Sequence, residues 1–278
     1  MSTLTALSPS THRHAGWLPA GHFRHAADWA TVPVVHSEIS HVIPTMPLAL
    51  QARAAAEQGL VFDLVALLSP VPGRNLMLRP GGQWLIGYVP AVLRAYPFAL
   101  ARPADQGEPS DSDQRVVCID TDSGCLVDPA NANPQAQPLF TADGQPAGGF
   151  ARVIDFMRDL EEARQRTRQA VAALAEHKLL VPWQLLPREA GSAQQTPGLF
   201  RIDADALAAL EAEPLYALHR TGGLMIAQAQ LLSMQRTRNF PHLLKMQQQA
   251  QSAQPVQAPL DVERLFGGEG ETLSFSNL

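Results

Sequence analysis

The chain lacks long hydrophobic runs and carries little charge of either sign. Of its 278 residues, 17% are charged and 46% are hydrophobic, and the formal net charge is −5. No segment reaches the roughly 18 consecutive apolar residues that cross a bilayer. Residues 1–10 contain neither a basic leader nor an apolar stretch of the kind found in secretory signals. We therefore expect no membrane span and a cytoplasmic location.

The patterns of several common activities are also missing. No stretch interleaves basic and aromatic residues, so we expect no binding of nucleic acid. There is no Gly-x-Gly-x-x-Gly sequence, no P-loop and no Gly-x-Ser-x-Gly sequence. These absences argue against a bound nucleotide and a serine nucleophile. We expect no cofactor.

Cysteine is scarce, with two residues in the whole chain, Cys118 and Cys125. The four residues between them read as a turn, so a disulfide across a hairpin is one alternative. In a reducing compartment, free thiols that pack as small hydrophobic side chains are the expected state. Zinc is disfavoured because no second cysteine pair or nearby histidine completes a tetrahedral set.

The local patterns predict an α+β fold with a β-rich first half and a helical second half. Short apolar runs flanked by turn residues indicate strands and hairpins before residue 128, including a reversal at Pro80–Gly82 and a hairpin between 115–120 and 125–127. From Phe150 the apolar period becomes helical for roughly 25 residues. The polar middle of this helix, residues 161–169, is predicted to be available to a partner.

We divide the chain into three parts from its composition. Residues 1–20 are polar and lack an apolar period, which predicts a flexible leader. Residues 21–245 are expected to form a single α+β domain. Residues 246–278 are rich in glutamine, which predicts a disordered tail.

A series of short segments resembles the SapC family, over roughly residues 23–240. The matching segments, in chain order, are Val32–Pro33, Glu38, Asn75–Leu76, Gly82–Trp84, Val89–Phe98, Pro138–Phe140, Gly144–Pro146, Leu179–Trp183, Leu199–Asp203 and Leu215–Leu224. Their order and spacing make the resemblance specific, and the Tyr-Pro-Phe sequence at 96–98 is its signature. The chain departs from the family pattern at Gly148-Gly149, where a hydroxyl residue that caps the next helix is expected.

The resemblance implies a soluble bacterial protein, and not the unrelated peptide-transporter permease of the same name. Members of the family are often encoded beside flavin-dependent halogenase-like and cupin-type hydroxylase-like proteins. This company implies an accessory role in the modification of peptides or natural products, or in uptake. The family name comes from a surface-layer context, so an association with a surface layer is a further alternative.

Aromatic residues and one arginine cluster in the signature segment and suggest a surface that recognises a peptide or a protein. Trp, Tyr and Arg dominate binding hot spots. The candidate residues of this surface are Trp84, Tyr88, Arg94, Tyr96 and Phe98. Because no catalytic group lies among them, we expect a binding protein rather than an enzyme.

The rival hypothesis is a metal-dependent oxygenase or hydrolase. Six of the nine histidines lie in residues 1–41, and several of them have carboxylates nearby. Non-haem iron and zinc sites use neutral imidazoles with a carboxylate. The candidate ligands are His22, His25, Asp28, His36, Glu38 and His41.

Overall fold

The computed structural model describes residues 3–55, 59–85, 87–101, 115–128, 133–185 and 196–252. Eleven strands run through these residues: β1 Leu4–Ala6, β2 Gly16–Trp17, β3 Thr31–Pro33, β4 Leu48–Ala55, β5 Gly59–Leu67, β6 Phe98–Ala101, β7 Val116–Asp120, β8 Leu126–Val127, β9 Gln137–Pro138, β10 Leu180–Pro182 and β11 Leu199–Ile202. The α-helices are α1 Pro9–His12, α2 Ile39–Val42, α3 Ala91–Arg94, α4 Gly148–Glu176, α5 Ala204–Ala208, α6 Ala212–Thr221, α7 Gly223–Ser233 and α8 Phe240–Ser252.

The largest sheet has five antiparallel strands in the order β10-β11-β4-β5-β3. Its centre is the β4–β5 pair, whose eight residue pairs run from Leu48–Ala66 to Ala55–Gly59. Because side chains alternate along a strand, Leu48 and Leu50 face one core while Ala49 faces another. The sheet is therefore buried on both faces.

The larger core lies between this sheet and the helices α4, α6 and α7. Val171 and Leu174 of α4, Leu218 of α6 and Ile226 of α7 pack there against the leucines of β4 and β5. Each fully buried leucine contributes about 1.5–3 kcal/mol relative to an exposed one. On the opposite face, α8 covers the sheet through Phe240.

A smaller core joins two three-stranded sheets, β1-β7-β6 and β8-β2-β9, to the first half of α4. Trp17, Phe98, Ile119, Phe150 and Met157 are buried in it. Helix α4 spans 29 residues and reaches from this core to the larger one. The helix therefore holds the two cores together.

The α+β prediction is confirmed: most strands lie in the first half and most of the helical residues in the second. Helix α4 begins at Gly148, close to the predicted Phe150, and Asp203 caps α5 as a helix that starts at Ala204 requires. No helix in the described part combines the length and the apolar content needed to span a bilayer. Both cysteines are free and buried.

The expected flexible leader is instead part of the fold. Strand β1 pairs with β7, and β2 pairs with both β8 and β9. Trp17 lies in the smaller core with 8% of its surface exposed. Two short strands carry too few residues to produce an apolar period, so composition alone pointed the wrong way. At the other end, α8 continues to Ser252, and residues 253–278 of the predicted tail lie outside the described residues.

Two further predictions need correction. Strand β7 pairs with β1 and β6, and not with the predicted partner 125–127, of which Leu126–Val127 form β8 of another sheet. The turn at 121–123 and Gly124, whose φ is +68°, redirect the chain between the sheets. The polar stretch 161–169 of α4 is also partly buried: Glu161 pairs with Arg115 and Arg164, and Thr167 accepts the N–H of His36.

Candidate functional site

The Tyr-Pro-Phe segment follows directly on the short helix α3. Pro90 precedes the helix, and the Ala91 N–H at its start donates to Oε1 of Glu38 over 2.6 Å. After the helix, the cis peptide between Tyr96 and Pro97 leads into β6. The side chain of Arg94 is exposed, and Phe98 is buried in the smaller core.

Arg94 is held between two aromatic rings. Its guanidinium carbon lies 5.2 Å from the ring centre of Tyr88 and 5.1 Å from that of Phe156 on α4. Its Nη2 donates to the Tyr88 hydroxyl over 2.6 Å, and its Nε donates to the Val89 carbonyl over 3.1 Å. Such cation–π contacts orient a guanidinium without neutralising its charge. Arg94 is therefore a fixed positive group at the surface.

Glu38 supports this arrangement from below. It is buried, and in addition to the Ala91 N–H it accepts the N–H of Val35 over 3.0 Å. Burial raises the pKa of Tyr88, and the negative charge of Glu38 raises it further, while Arg94 opposes both effects. The carboxylate thus links α2 and its preceding turn to α3, the helix that carries Arg94.

Tyr96 is fixed by a second set of contacts. Its hydroxyl donates to Oδ2 of buried Asp120 over 3.2 Å. Burial, together with repulsion of the phenolate by Asp120, raises the pKa of Tyr96 to about 12. The ring of His25 stacks on the Tyr96 ring with a centroid distance of 3.6 Å. Burial lowers the pKa of His25, although Asp120 acts in the opposite direction.

An open cleft of about 450 Å³ lies beside Arg94 and Tyr96. Its walls come from β2 and the residues after it, from α3 and the Tyr-Pro-Phe segment, and from the first turns of α4. The side chains that line it include Trp17, Phe23, Arg94, Tyr96, Gln137, Arg152 and Phe156. The volume is in the range of small-molecule and peptide pockets. The lining combines aromatic walls with two arginines.

The predicted binding-surface residues divide between this cleft and its surroundings. Arg94, Tyr96 and Phe98 line the cleft, and Phe98 is only 5% exposed because it packs edge-on against Trp17. Tyr88 lies behind Arg94, as its contact with the guanidinium shows. Trp84 is not a lining residue, but its ring lies 6.0 Å from that of Phe23, which is one.

The predicted metal ligands are not brought together. Within the described ranges, which include all six candidates, no group of three His, Cys, Asp or Glu residues has the arrangement of a metal site. His22 and Asp28 are exposed, and His25 stacks on Tyr96. His36 contacts Thr167, His41 stacks on Tyr88, and Glu38 accepts backbone N–H groups. Close spacing in sequence therefore did not place these six side chains around one point.

The sequence interpretation missed several lining residues, above all Trp17, Gln137, Arg152 and Phe156. Arg152 and Phe156 are four residues apart on α4, a spacing that places both on one side of a helix. That spacing was a usable signal. Trp17 and Gln137 are neighbours across the β2–β9 pair, and only the tertiary pairing brings them to α4.

The fold and the site define an α+β protein with an aromatic cleft flanked by arginines. A comparison with family models gives a match to SapC over residues 7–240, which is most of the chain. The protein therefore belongs to the SapC family. No curated protein and no solved structure matches it.

Proposed function

We propose that the protein is a non-catalytic binding component that recognises a peptide or a partner protein through Arg94 and the cleft beside it. The observation that supports this proposal is the position of the Arg94 guanidinium. It is exposed at the mouth of a cleft, yet it is already oriented by Tyr88 and Phe156. Preorganised arginine and aromatic side chains are the groups that carry binding energy in interfaces.

The proposed setting is an accessory role in the bacterial cytoplasm, in the modification of peptides or natural products or in uptake. Flavin-dependent halogenase-like and cupin-type hydroxylase-like proteins are the proposed partners, and nucleic acid is not one. This part of the proposal comes from family membership and not from the cleft. Cell fractionation tests it, because a surface-layer protein would be found with the cell envelope.

Co-purification with each proposed partner tests the binding role. We expect Arg94→Ala to reduce recovery of the partner, because the variant removes the oriented charge and its two ring contacts. Arg220→Ala is the matched control, since Arg220 is exposed on α6 and does not line the cleft. Equal recovery with the wild type and with both variants would overturn the proposed binding surface.

A further inference from the structure

We propose that the cleft binds the free C-terminal carboxylate of a peptide whose last residue is aromatic. This inference rests on the proposed function and names the feature that is recognised. The carboxylate would lie between Arg94 and Arg152, and the terminal ring would lie against the aromatic walls. Three independent features of the cleft support it: its charge, an unpaired buried donor, and the start of α4.

The first feature is two arginines without counter-charges. Arg152 precedes Phe156 by one helical turn, and the guanidinium carbon of Arg94 lies 5.1 Å from the same ring. Arg94 therefore packs on the ring of Phe156, and Arg152 lies one turn earlier on the same side of α4. In the part of the chain that the structure describes, neither arginine forms an ion pair, and no carboxylate lines the cleft. The charged groups that line the cleft are thus both cationic, while the carboxylates of Glu38 and Asp120 lie behind Tyr88 and Tyr96, and this lining favours an anion.

The second feature is the indole N–H of Trp17. Trp17 is 8% exposed and lines the cleft, and its Nε1 has no acceptor among the residues described. Buried polar groups in native proteins almost always have a partner. Nε1 is itself covered, so an acceptor in the cleft reaches it only with a small shift of the Trp17 ring, and such an acceptor is favoured because the donor is otherwise unpaired. A carboxylate or the carbonyl of a peptide is such an acceptor.

The third feature is the start of α4, which borders the cleft through Gly149. The residue before the helix is Ala147, and no side chain caps the first turn. The N-terminal end of a helix carries partial positive charge and favours a negative group. Because the capping residue is Ala147 and Gly148-Gly149 already belong to the helix, this end has no hydroxyl cap.

The aromatic walls determine which residue accompanies the carboxylate. The rings of Trp17, Phe23, Tyr96, Phe98 and Phe156 line the same cleft as the two arginines. Aromatic rings pair favourably edge-to-face or offset, in addition to the burial of apolar area. Capture of a C-terminal carboxylate beside a side-chain pocket is an established mode of peptide recognition. A terminal phenylalanine or tryptophan fits both parts of the cleft.

Isothermal titration of the full-length protein with three short peptides tests the inference. The peptides are acetyl-Gly-Gly-Phe with a free carboxylate, the same peptide as its C-terminal amide, and acetyl-Gly-Gly-Ala with a free carboxylate. We expect the free phenylalanine peptide to bind about tenfold more tightly than either of the others, since each lacks one of the two recognised groups. Its affinity should also fall as salt is added, because both arginines are exposed.

Arg152→Gln is the decisive variant, because Arg152 is exposed and its replacement leaves the contacts of Arg94 in place. We expect it to weaken the free peptide about tenfold and to leave the amide unchanged. Arg158→Gln is the control on the same helix, outside the cleft. Thermal unfolding of each variant verifies that it is folded.

Equal affinities for the acid and the amide, no binding of any peptide, or an unchanged affinity in Arg152→Gln would each overturn the inference. A different result would overturn the proposed function, namely full recovery of the partner protein by Arg94→Ala. If Arg94→Ala lost the partner while the acid and amide peptides bound equally, only the inference about the carboxylate would be refuted.

Discussion

Replacement of Glu38 by glutamine is expected to destabilise the protein, because it exchanges one carboxylate oxygen for an NH₂ group. Oε1 and Oε2 of Glu38 accept the N–H groups of Ala91 and Val35 over 2.6 and 3.0 Å. Glutamine keeps one oxygen but places an NH₂ donor opposite one of the two N–H groups. The substitution therefore loses a charge-assisted hydrogen bond and leaves a buried N–H unpaired.

The expected cost follows from the burial of this site, since Glu38 is only 4% exposed. A hydrogen bond to a charged group contributes about 1.5–3 kcal/mol, and a buried unpaired donor costs about 1–3 kcal/mol. Both figures describe the loss of the same hydrogen bond and are therefore not added in full. We expect the free energy of unfolding to fall by about 2–4 kcal/mol. For a protein of this size, the fall corresponds to a decrease in Tm of roughly 5–10 °C.

Differential scanning calorimetry of the wild type and two variants measures this effect. The control is Glu162→Gln, because Glu162 is 61% exposed and lies 3.7 Å from Arg166 in an i,i+4 ion pair. Exposed pairs of this kind contribute about 0.5 kcal/mol or less, so its Tm should change by no more than about 2 °C. If Glu38→Gln and Glu162→Gln gave the same Tm, the assignment of Glu38 as the buried link to α3 would be refuted.

Three other variants test the stacking, the core and the cleft. Burial lowers the pKa of His25 below its ordinary 6.5, so the unfolded chain binds the proton more readily and the free energy of unfolding should fall as the pH drops below about 6.5. Chemical denaturation at pH 7.5 and 5.5 should show a smaller loss of stability in His25→Phe than in the wild type, and an equal loss would contradict this. Leu174→Ala truncates a fully buried side chain and should lower the free energy of unfolding in urea by about 2–5 kcal/mol. Leu232 is 69% exposed, so Leu232→Ala should lower it little, and equal losses in the two variants would refute the core assignment. Gly149→Ala places a new methyl group against the side-chain amide of Gln137, which lines the cleft, whereas the methyl group of Gly148→Ala meets nothing within 4 Å. Because the Gln137 side chain must then move, the phenylalanine peptide should bind more weakly to Gly149→Ala only, and equal affinities for the two variants would contradict this.

The residues of the candidate site were partly predictable from the sequence. Arg94 and Tyr96 stand in one signature segment, so their closeness required no tertiary information. The segment does not reveal that Phe156, more than 50 positions later, completes the platform for Arg94. Sequence spacing likewise does not reveal that the candidate metal ligands contact different parts of the fold: His25 stacks on Tyr96, and His36 contacts Thr167 of α4.

By itself, the sequence determined the class of the fold, the long helix α4 and the family. Each of these depends on local patterns: apolar period, turn residues and ordered motifs. The tertiary structure alone decided that β1 and β2 belong to the sheets, that β8 pairs with β2, and that α4 connects two cores. The physical reason is that a strand of two or three residues has no period of its own. Its place depends on which partner strand buries it, and that information is distributed over the whole chain.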